Sequence, residues 1–328
     1  MSPADFASAK ETTRSEIPVI DVSGAVDGTD IKGVAAEIYA AATDHGFFYI
    51  SNHGIAQDLM NQAFAVSQSF FEQPVALKET VAVNAQQRGW MAQGMSHLQG
   101  AKTHDLKEVF FWGTETKLDD PDVLAGKPLI AVNQWPTEDF PRLHQDLTPY
   151  YNALCNVARK VMAAVAVSLD QPATFFDAMY EKPLARGQLV YYPPSTAEDE
   201  AEERFGVAAH TDFGVLTLLL QDNNGGLQVQ SRSGDWIEAP PLLGTLVCNI
   251  GDLLERWSNN RFTSTLHRVV NRTTTARYSI PVFFDPYTDC IVDPKDLGVA
   301  DQESLYEPIT VGQHISNRNK KSFAHYQK

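Results

Sequence analysis

Cysteine is scarce in this chain, and the scarcity excludes two classes of protein at once. Three residues of that type, Cys155, Cys248 and Cys290, are odd in number, far apart and outside any CxxC spacing. Neither a disulfide framework nor a cysteine metal site is therefore expected, and the three read as small buried hydrophobes. Basic residues are also in deficit, with 26 Lys and Arg against 41 Asp and Glu, a formal charge of −15. Phosphate contacts need clustered cations, so no nucleic-acid groove is expected. The one compact basic run, Arg318-Asn319-Lys320-Lys321, reads as a solvated terminus. No apolar run approaches membrane-spanning length, and the first residues, MSPADFASAKETTRSE, lack the apolar core of a secretory leader. The expectation is a cytoplasmic protein, a monomer or small homo-oligomer, with no membrane and a small-molecule substrate.

Internal repeats and low-complexity linkers are missing too, so residues 1–328 read as one unit, and an apolar content of 43% is enough for a large core. Residues 1–185 read as mainly helical. Ile31 to His45 and Asp58 to Phe71 carry apolar stripes at helical spacing, and Pro136 to Leu169 holds a long amphipathic pattern. Residues 186–292 read as short strands with turn punctuation about every 8–12 residues, the pattern of a β-sandwich or barrel. Residues 293–328 remain as a carboxyl-terminal lid or tail. The acidic run Glu198 to Glu203 is expected to be an exposed loop joining two strands.

What is present is most specific at His210-Thr211-Asp212. Two imidazoles and a carboxylate can fill three positions of an octahedral Fe(II), leaving the rest for a cosubstrate and O2. Two H-x-D tripeptides occur, and their settings differ. His144-Gln145-Asp146 lies among Leu143, Leu147, Tyr150, Tyr151 and Leu154, a helical pattern that sets its side chains roughly 200° apart, so they cannot share an ion. His210 to Gln221, HTDFGVLTLLLQ, reads instead as a strand ended by Asp222-Asn223-Asn224-Gly225-Gly226. Residues i and i+2 of a strand share a face, so His210 and Asp212 can converge. His267, in Ser264-Thr265-Leu266-His267-Arg268-Val269-Val270-Asn271, supplies a third candidate ligand from another strand. In ARYSIPVFFD, Ala276 to Asp285, alternation puts Arg277, Ser279 and Phe283 on one face and Tyr278, Ile280, Val282 and Phe284 on the other. A buried arginine needs an anion; its planar fork suits a carboxylate, and Ser279 adds a donor. The alternative at this point is a structural ion pair with one of the chain's many acids.

At these residues the chain resembles the isopenicillin N synthase-like branch of the Fe(II)/2-oxoglutarate-dependent oxygenases. The resemblance starts at Ile17-Pro18-Val19-Ile20-Asp21 and runs through Gly46-Phe47-Phe48-Tyr49-Ile50, Asn52-His53-Gly54-Ile55 and Tyr191-Tyr192-Pro193. It continues in Gly225-Gly226-Leu227-Gln228-Val229, Asn249-Ile250-Gly251-Asp252, His267-Arg268-Val269 and Arg277-Tyr278-Ser279-Ile280-Pro281. It implies a mainly β fold with a helical amino-terminal half: a double-stranded β-helix, or jelly roll, core braced by α-helices. It also implies Fe(II) held by His210, Asp212 and His267, with 2-oxoglutarate held by Arg277 and Ser279 through its distal carboxylate and by the Tyr192 phenol. O2 completes the set, and a metabolite would be hydroxylated, cyclised or desaturated with release of succinate and CO2. Val190 stands where plant members usually carry asparagine, and Leu266 where many relatives have proline. Phe213, after the aspartate, is expected to wall the substrate cavity. Arg88, Trp90 and His97 are candidates to line it, with the seating of a loop on the core as the competing role. Two other readings stay open: an iron oxidase of the same fold that uses no 2-oxo acid, and a non-catalytic metal-binding sensor.

Overall fold

The computed structural model describes residues 7–11, 17–96 and 103–322. Twelve strands build two facing sheets. In chain order they are β1 (Val19–Asp21), β2 (Phe47–Ser51), β3 (Gly89–Met91), β4 (Glu108–Gly113), β5 (Leu184–Tyr192) and β6 (Val207–His210), followed by β7 (Leu216–Gln221), β8 (Leu227–Gln230), β9 (Trp236–Glu238), β10 (Leu246–Ile250), β11 (His267–Val269) and β12 (Arg277–Asp285). The larger sheet has the order β1-β2-β10-β7-β12-β5-β4-β3, and the smaller β6-β11-β8-β9. Apart from the parallel β1/β2 pair, these strands pair antiparallel.

Strand alternation divides the core in two. Tyr278, Ile280, Val282 and Phe284 of β12 face the helices, in the same cluster as Leu143, Leu147, Leu154, Val161 and Val165 of the helix Arg142–Ser168. Between the sheets lie Phe47, Tyr49, Val190, Val207, Leu227, Val229, Val247 and Val269. Period-2 side-chain placement on β12 thus sends its apolar residues to one layer and Arg277 and Ser279 to the other. The long helix presents leucine and valine at three- and four-residue spacing, which makes the continuous stripe it buries. Another brace, Ile31–Asp44, starts at Asp30, whose carboxylate accepts the Gly33 amide at 2.9 Å.

Several sequence expectations are corrected. Within residues 1–185 helices predominate, and β1 to β4 also join the larger sheet. Phe47 to Ile50 and Val109 to Trp112 are buried on both faces and so lack the alternation that marks a half-buried strand. His210 to Gln221 is two strands: β6 ends at His210, residues 211–215 make a bend, and β7 continues in the opposite sheet. The acidic run holds the short helix Ala197–Ala201, started by a reciprocal cap in which Thr196 and Asp199 satisfy each other's backbone amides; Asp199 is buried while Glu198, Glu200 and Glu202 stay outside. The basic run belongs to the helix Val311–Ser322, whose period turns Arg318 and Asn319 toward the barrel while Lys320 and Lys321 stay exposed. Among the cysteines, Cys248 is buried but Cys155 and Cys290 only partly so, and all three are free thiols. Burial pushes the Cys155 and Cys290 thiols up to about 12 and about 11.

Candidate metal centre

Register brings the first two imidazoles together. β6 and β11 are antiparallel neighbours with His210 opposite His267, and their ring centroids are 4.2 Å apart. Asp212 reaches the same point from the bend between the sheets. That bend is clamped by backbone, with the Asp252 amide donating to the Asp212 carbonyl at 2.8 Å and the Leu253 amide to the Gly214 carbonyl at 2.9 Å. Gly214 is required here by space, since a Cβ would stand 2.1 Å from Asp285 Oδ1.

His210 Nε2 and His267 Nε2 lie 3.8 Å and 3.7 Å from Asp212 Oδ1. One donor atom from each residue falls within 4.8 Å of the others, the single such His/Cys/Asp/Glu cluster of three or more among the described residues. Each imidazole is oriented from behind. His210 Nδ1 is 2.8 Å from the Ala208 carbonyl and His267 Nδ1 is 3.1 Å from the Thr265 carbonyl. A carbonyl only accepts, so both Nδ1 carry the proton and both Nε2 lone pairs point to the shared centre. Asp212 is oriented in the same manner: its Oδ2 accepts from Thr217 Oγ1 at 2.6 Å and Asn249 Nδ2 at 2.8 Å, which leaves Oδ1 for the centre.

Electrostatics keep the cluster ready for a cation. Burial, reinforced by the neighbouring His267, lowers the His210 pKa to about 4, so its ring is neutral near pH 7. Burial opposes ionisation of Asp212, but His267, His210 and the Asn249 and Thr217 hydrogen bonds outweigh it and hold the carboxyl below its usual value. Two imidazole nitrogens and one carboxylate form a donor set suited to an iron(II) ion with positions left open.

Deeper between the sheets lies Arg277, fully buried on β12 opposite Tyr192 of β5. Its Nε donates to the Gly225 carbonyl at 2.6 Å and its Nη2 to Gln221 Oε1 at 3.4 Å, while Nη1 has no partner. The guanidinium stands 4.8 Å from the Tyr192 ring centroid, so that ring meets it by its face. No carboxylate pairs with it among the described residues, which removes the structural ion pair as its explanation. Ser279, two residues on, is 2% exposed. Arg277, Ser279, Tyr192, His210, Asp212 and His267 line one inner chamber. A buried cation with an unpartnered N–H is a receptor for an anionic oxygen, because leaving it unpaired costs several kcal/mol.

A second, outer chamber shares the wall formed by His210, Asp212, Lys107, Gln188 and Phe283. Phe213 lines it, as does Asn319 of the carboxyl-terminal helix. That helix is latched over the bend: Arg318 donates to Thr211 Oγ1 at 3.0 Å, meets Asp252 at 2.9 Å and stands 4.6 Å over the Phe213 ring.

Two sequence candidates are not brought to either chamber. Arg88 is buried with its guanidinium on the backbone carbonyls of Gln86, Gln87 and Leu129. Trp90 donates to Glu108 at 2.9 Å beneath the Lys78 ammonium. Both serve to seat the segment on the core, as expected of a buried planar side chain with one polar handle. His97 lies outside the described residues. The decoy pair separates as the helix requires: His144 stacks on Trp135 at 4.8 Å, and Asp146 accepts from Arg142 and Gln62. Sequence reasoning missed Lys107, Arg186 and Asn319, which have no local signal because the chain folds them in from distant segments, and Thr217, which lies in the same run as Asp212 but reads as an ordinary strand residue. Asn249 had a signal, the Asn249-Ile250-Gly251-Asp252 tag, but no role attached to it.

Comparison with known proteins gives matches over most of the chain. Residues 17–138 match the family described as non-haem dioxygenase in morphine synthesis N-terminal, and residues 187–286 match the 2OG-Fe(II) oxygenase superfamily. The chain is 33% identical over 317 residues to the 2-oxoglutarate-Fe(II) type oxidoreductase hxnY of Emericella nidulans, covering 93% of the chain and 90% of that protein. It is 35% identical over 321 residues to homoarginine-6-hydroxylase 2-ODD-233 of Oryza sativa subsp. japonica, covering 91% and 95%. Among solved structures, a full-length Neurospora crassa protein in complex with alpha-KG and thymine superposes with a TM-score of 0.81 at 28% identity, covering 94% of this chain and 98% of that one.

Proposed function

The chain belongs to the 2-oxoglutarate- and Fe(II)-dependent oxygenases, and from that premise we propose which residues do the work. The enzyme is a 2-oxoglutarate-dependent dioxygenase with Fe(II) and 2-oxoglutarate as its cofactor and cosubstrate. His210, Asp212 and His267 hold the iron. Arg277 and Ser279 hold the distal carboxylate of 2-oxoglutarate in the inner chamber, and Tyr192 packs against that arginine. With O2, the bound pair supplies an oxidant strong enough to attack an unactivated C–H bond, at the expense of the keto acid, which leaves as succinate and CO2.

The protein's own part is placement. Backbone carbonyls fix both histidine tautomers, Thr217 and Asn249 fix the carboxylate, and rigid strands fix their spacing. Phe213 and the helix Val311–Ser322 wall the outer chamber, where a small substrate reaches the triad. In this reading residues 186–292 are the jelly-roll core carrying the site, and residues 293–328 are its lid or tail, of which 323–328 lie outside the described residues. Three free cysteines fit a reducing, cytoplasmic setting; among the described residues no helix is long and apolar enough to cross a membrane.

One observation carries the assignment of the keto acid. Arg277 is completely buried, has no anionic partner and keeps Nη1 unpartnered in the chamber that contains the triad. A non-catalytic sensor leaves that donor without a purpose; against an iron oxidase of this fold using no 2-oxo acid, whose substrate carboxylate would use the same donor, stands the Emericella nidulans relative, which carries 2-oxoglutarate in its name. The test is to load the protein anaerobically with Fe(II), ascorbate and labelled 2-oxoglutarate, admit air and measure succinate and CO2. Turnover abolished by His210→Ala is expected. Absence of both turnover and 2-oxoglutarate binding in the wild type would sink the proposal.

A further inference from the structure

Two residues on the wall of the outer chamber each carry a buried N–H donor without a partner, and neither the triad nor Arg277 uses them. Asn319 is 2% exposed, and its Nδ2 has no partner. Arg186, on β5, meets Asp285 through Nη2 at 3.0 Å with a side chain 12% exposed, and its Nε has no partner. Both residues line the chamber that also contains His210, Asp212 and Phe213. An unsatisfied buried donor costs about 1–3 kcal/mol, more when charged. Two on one wall are accounted for by an acceptor that arrives with a ligand.

The charge of the wall narrows the acceptor. Its lining includes two cations, Lys107 and Arg186, and one carboxylate, Asp212. The partners of the cations stand behind it. Asp105, 1% exposed, meets Lys107 at 3.1 Å and is held by Ser96 Oγ and the Ala208 amide. Asp285, fully buried, meets Arg186 and accepts the Val215 amide. Neither carboxylate lines the chamber. With a divalent ion balanced by Asp212 and the keto acid, the charges that face the chamber are the Lys107 and Arg186 cations, and Phe213 and Phe283 add two rings to it. A neutral ring bearing carbonyls could use the donors but would leave the charge unanswered.

We propose that the outer chamber takes a small planar carboxylate, its anionic oxygens held by Arg186 and Asn319 beside Lys107 and its ring against Phe213 and Phe283. This rests on the assignment of the inner chamber to 2-oxoglutarate. Affinity for that keto acid is therefore measured first on the wild-type protein loaded with Mn(II). No binding there sinks both ideas, whereas intact binding with no preference for carboxylates sinks only this one. With 2-oxoglutarate saturating, benzoate, benzamide and thymine are titrated calorimetrically. Benzoate is expected to bind at least about tenfold more tightly than either neutral probe, a margin of about 1.4 kcal/mol. Arg186→Gln and Asn319→Ala are each expected to weaken benzoate about tenfold or more while moving benzamide less. Because Arg186→Gln strips the buried Asp285 of its partner and can unfold the sheet, Asn319→Ala decides the matter where Arg186→Gln does not fold. Benzamide or thymine binding as well as benzoate, no binding of benzoate, or unchanged benzoate affinity in Asn319→Ala overturns the proposal.

Discussion

Removing one of the two hydrogen bonds to Asp212 Oδ2 should weaken metal binding without touching a ligand. Thr217→Val is nearly isosteric and deletes the 2.6 Å bond; Asn249→Ala deletes the 2.8 Å bond from the other side. Both donors are buried, at 5% and 3% exposure, so water cannot readily replace them. A hydrogen bond to a charged group contributes about 1.5–3 kcal/mol. At about 1.4 kcal/mol per factor of ten, that is a loss of about 10- to 150-fold in affinity, which agrees with the roughly 10- to 100-fold cost of losing an outer-shell partner of a metal ligand. Each variant should therefore bind Mn(II) or Fe(II) anaerobically with a dissociation constant raised by about one to two decades, and the double variant should lose more than either alone. Thermal unfolding of the metal-free proteins separates a loosened carboxylate from a damaged sheet. Wild-type metal affinity in both single variants would refute the argument that these residues aim Asp212.

Three further outcomes are expected. Arg277→Leu removes the buried guanidinium and with it charge-assisted bonds of about 2–3 kcal/mol, so 2-oxoglutarate should bind about 30- to 150-fold more weakly while metal affinity stays near wild type; unchanged 2-oxoglutarate affinity would place the keto acid elsewhere. Gly214→Ala puts a Cβ 2.1 Å from Asp285 Oδ1, and the strain should lower stability by about 1–3 kcal/mol, read as a shifted urea midpoint; an unshifted midpoint would show that the bend yields freely. His314, on the carboxyl-terminal helix, has its pKa lowered to about 4 by burial and then by Arg256 and Arg318. Its folded pKa is below the unfolded value of about 6.5, so the unfolded state takes up the proton first and stability falls as pH drops from about 6.5 toward 4, by at most about 3 kcal/mol. Melting curves of wild type and His314→Gln should thus converge or cross over that interval, and a constant gap between them would dismiss the histidine as a source of acid sensitivity.

Much of the centre was legible because its determinants are local. Alternation along β12 placed Arg277 and Ser279 on one face and four apolar residues on the other without knowledge of the fold. Helical spacing around His144 likewise disqualified the second H-x-D. Reading His210 to Gln221 as one strand gave the right convergence of His210 and Asp212 by an inexact route, since a bend between two sheets, rather than a common strand face, delivers the carboxylate. Strands β2 and β4 were hidden for a physical reason: buried on both faces, they carry no period to distinguish them from other apolar runs. Between the two roles left open for Arg88 and Trp90 the sequence could not choose, because a buried arginine or indole reads the same whether its partner is a ligand or the protein's own carbonyls and carboxylates.

The sequence by itself determined the donor chemistry and the order of the parts: two imidazoles, one carboxylate and a buried guanidinium, each in a segment whose periodicity sets the direction of its side chain. Those properties depend on neighbours a few residues away, so they survive without tertiary information. Only the tertiary structure decided what stands behind each donor and what faces the outer chamber. Asn249, Arg186, Lys107 and Asn319 reach their places through packing between distant strands and the last helix. The Ala208 and Thr265 carbonyls and Thr217, only two to five residues from the side chains they hold, are aimed by the local backbone path. In both cases a hydrogen bond exists only where its two atoms come within about 3 Å.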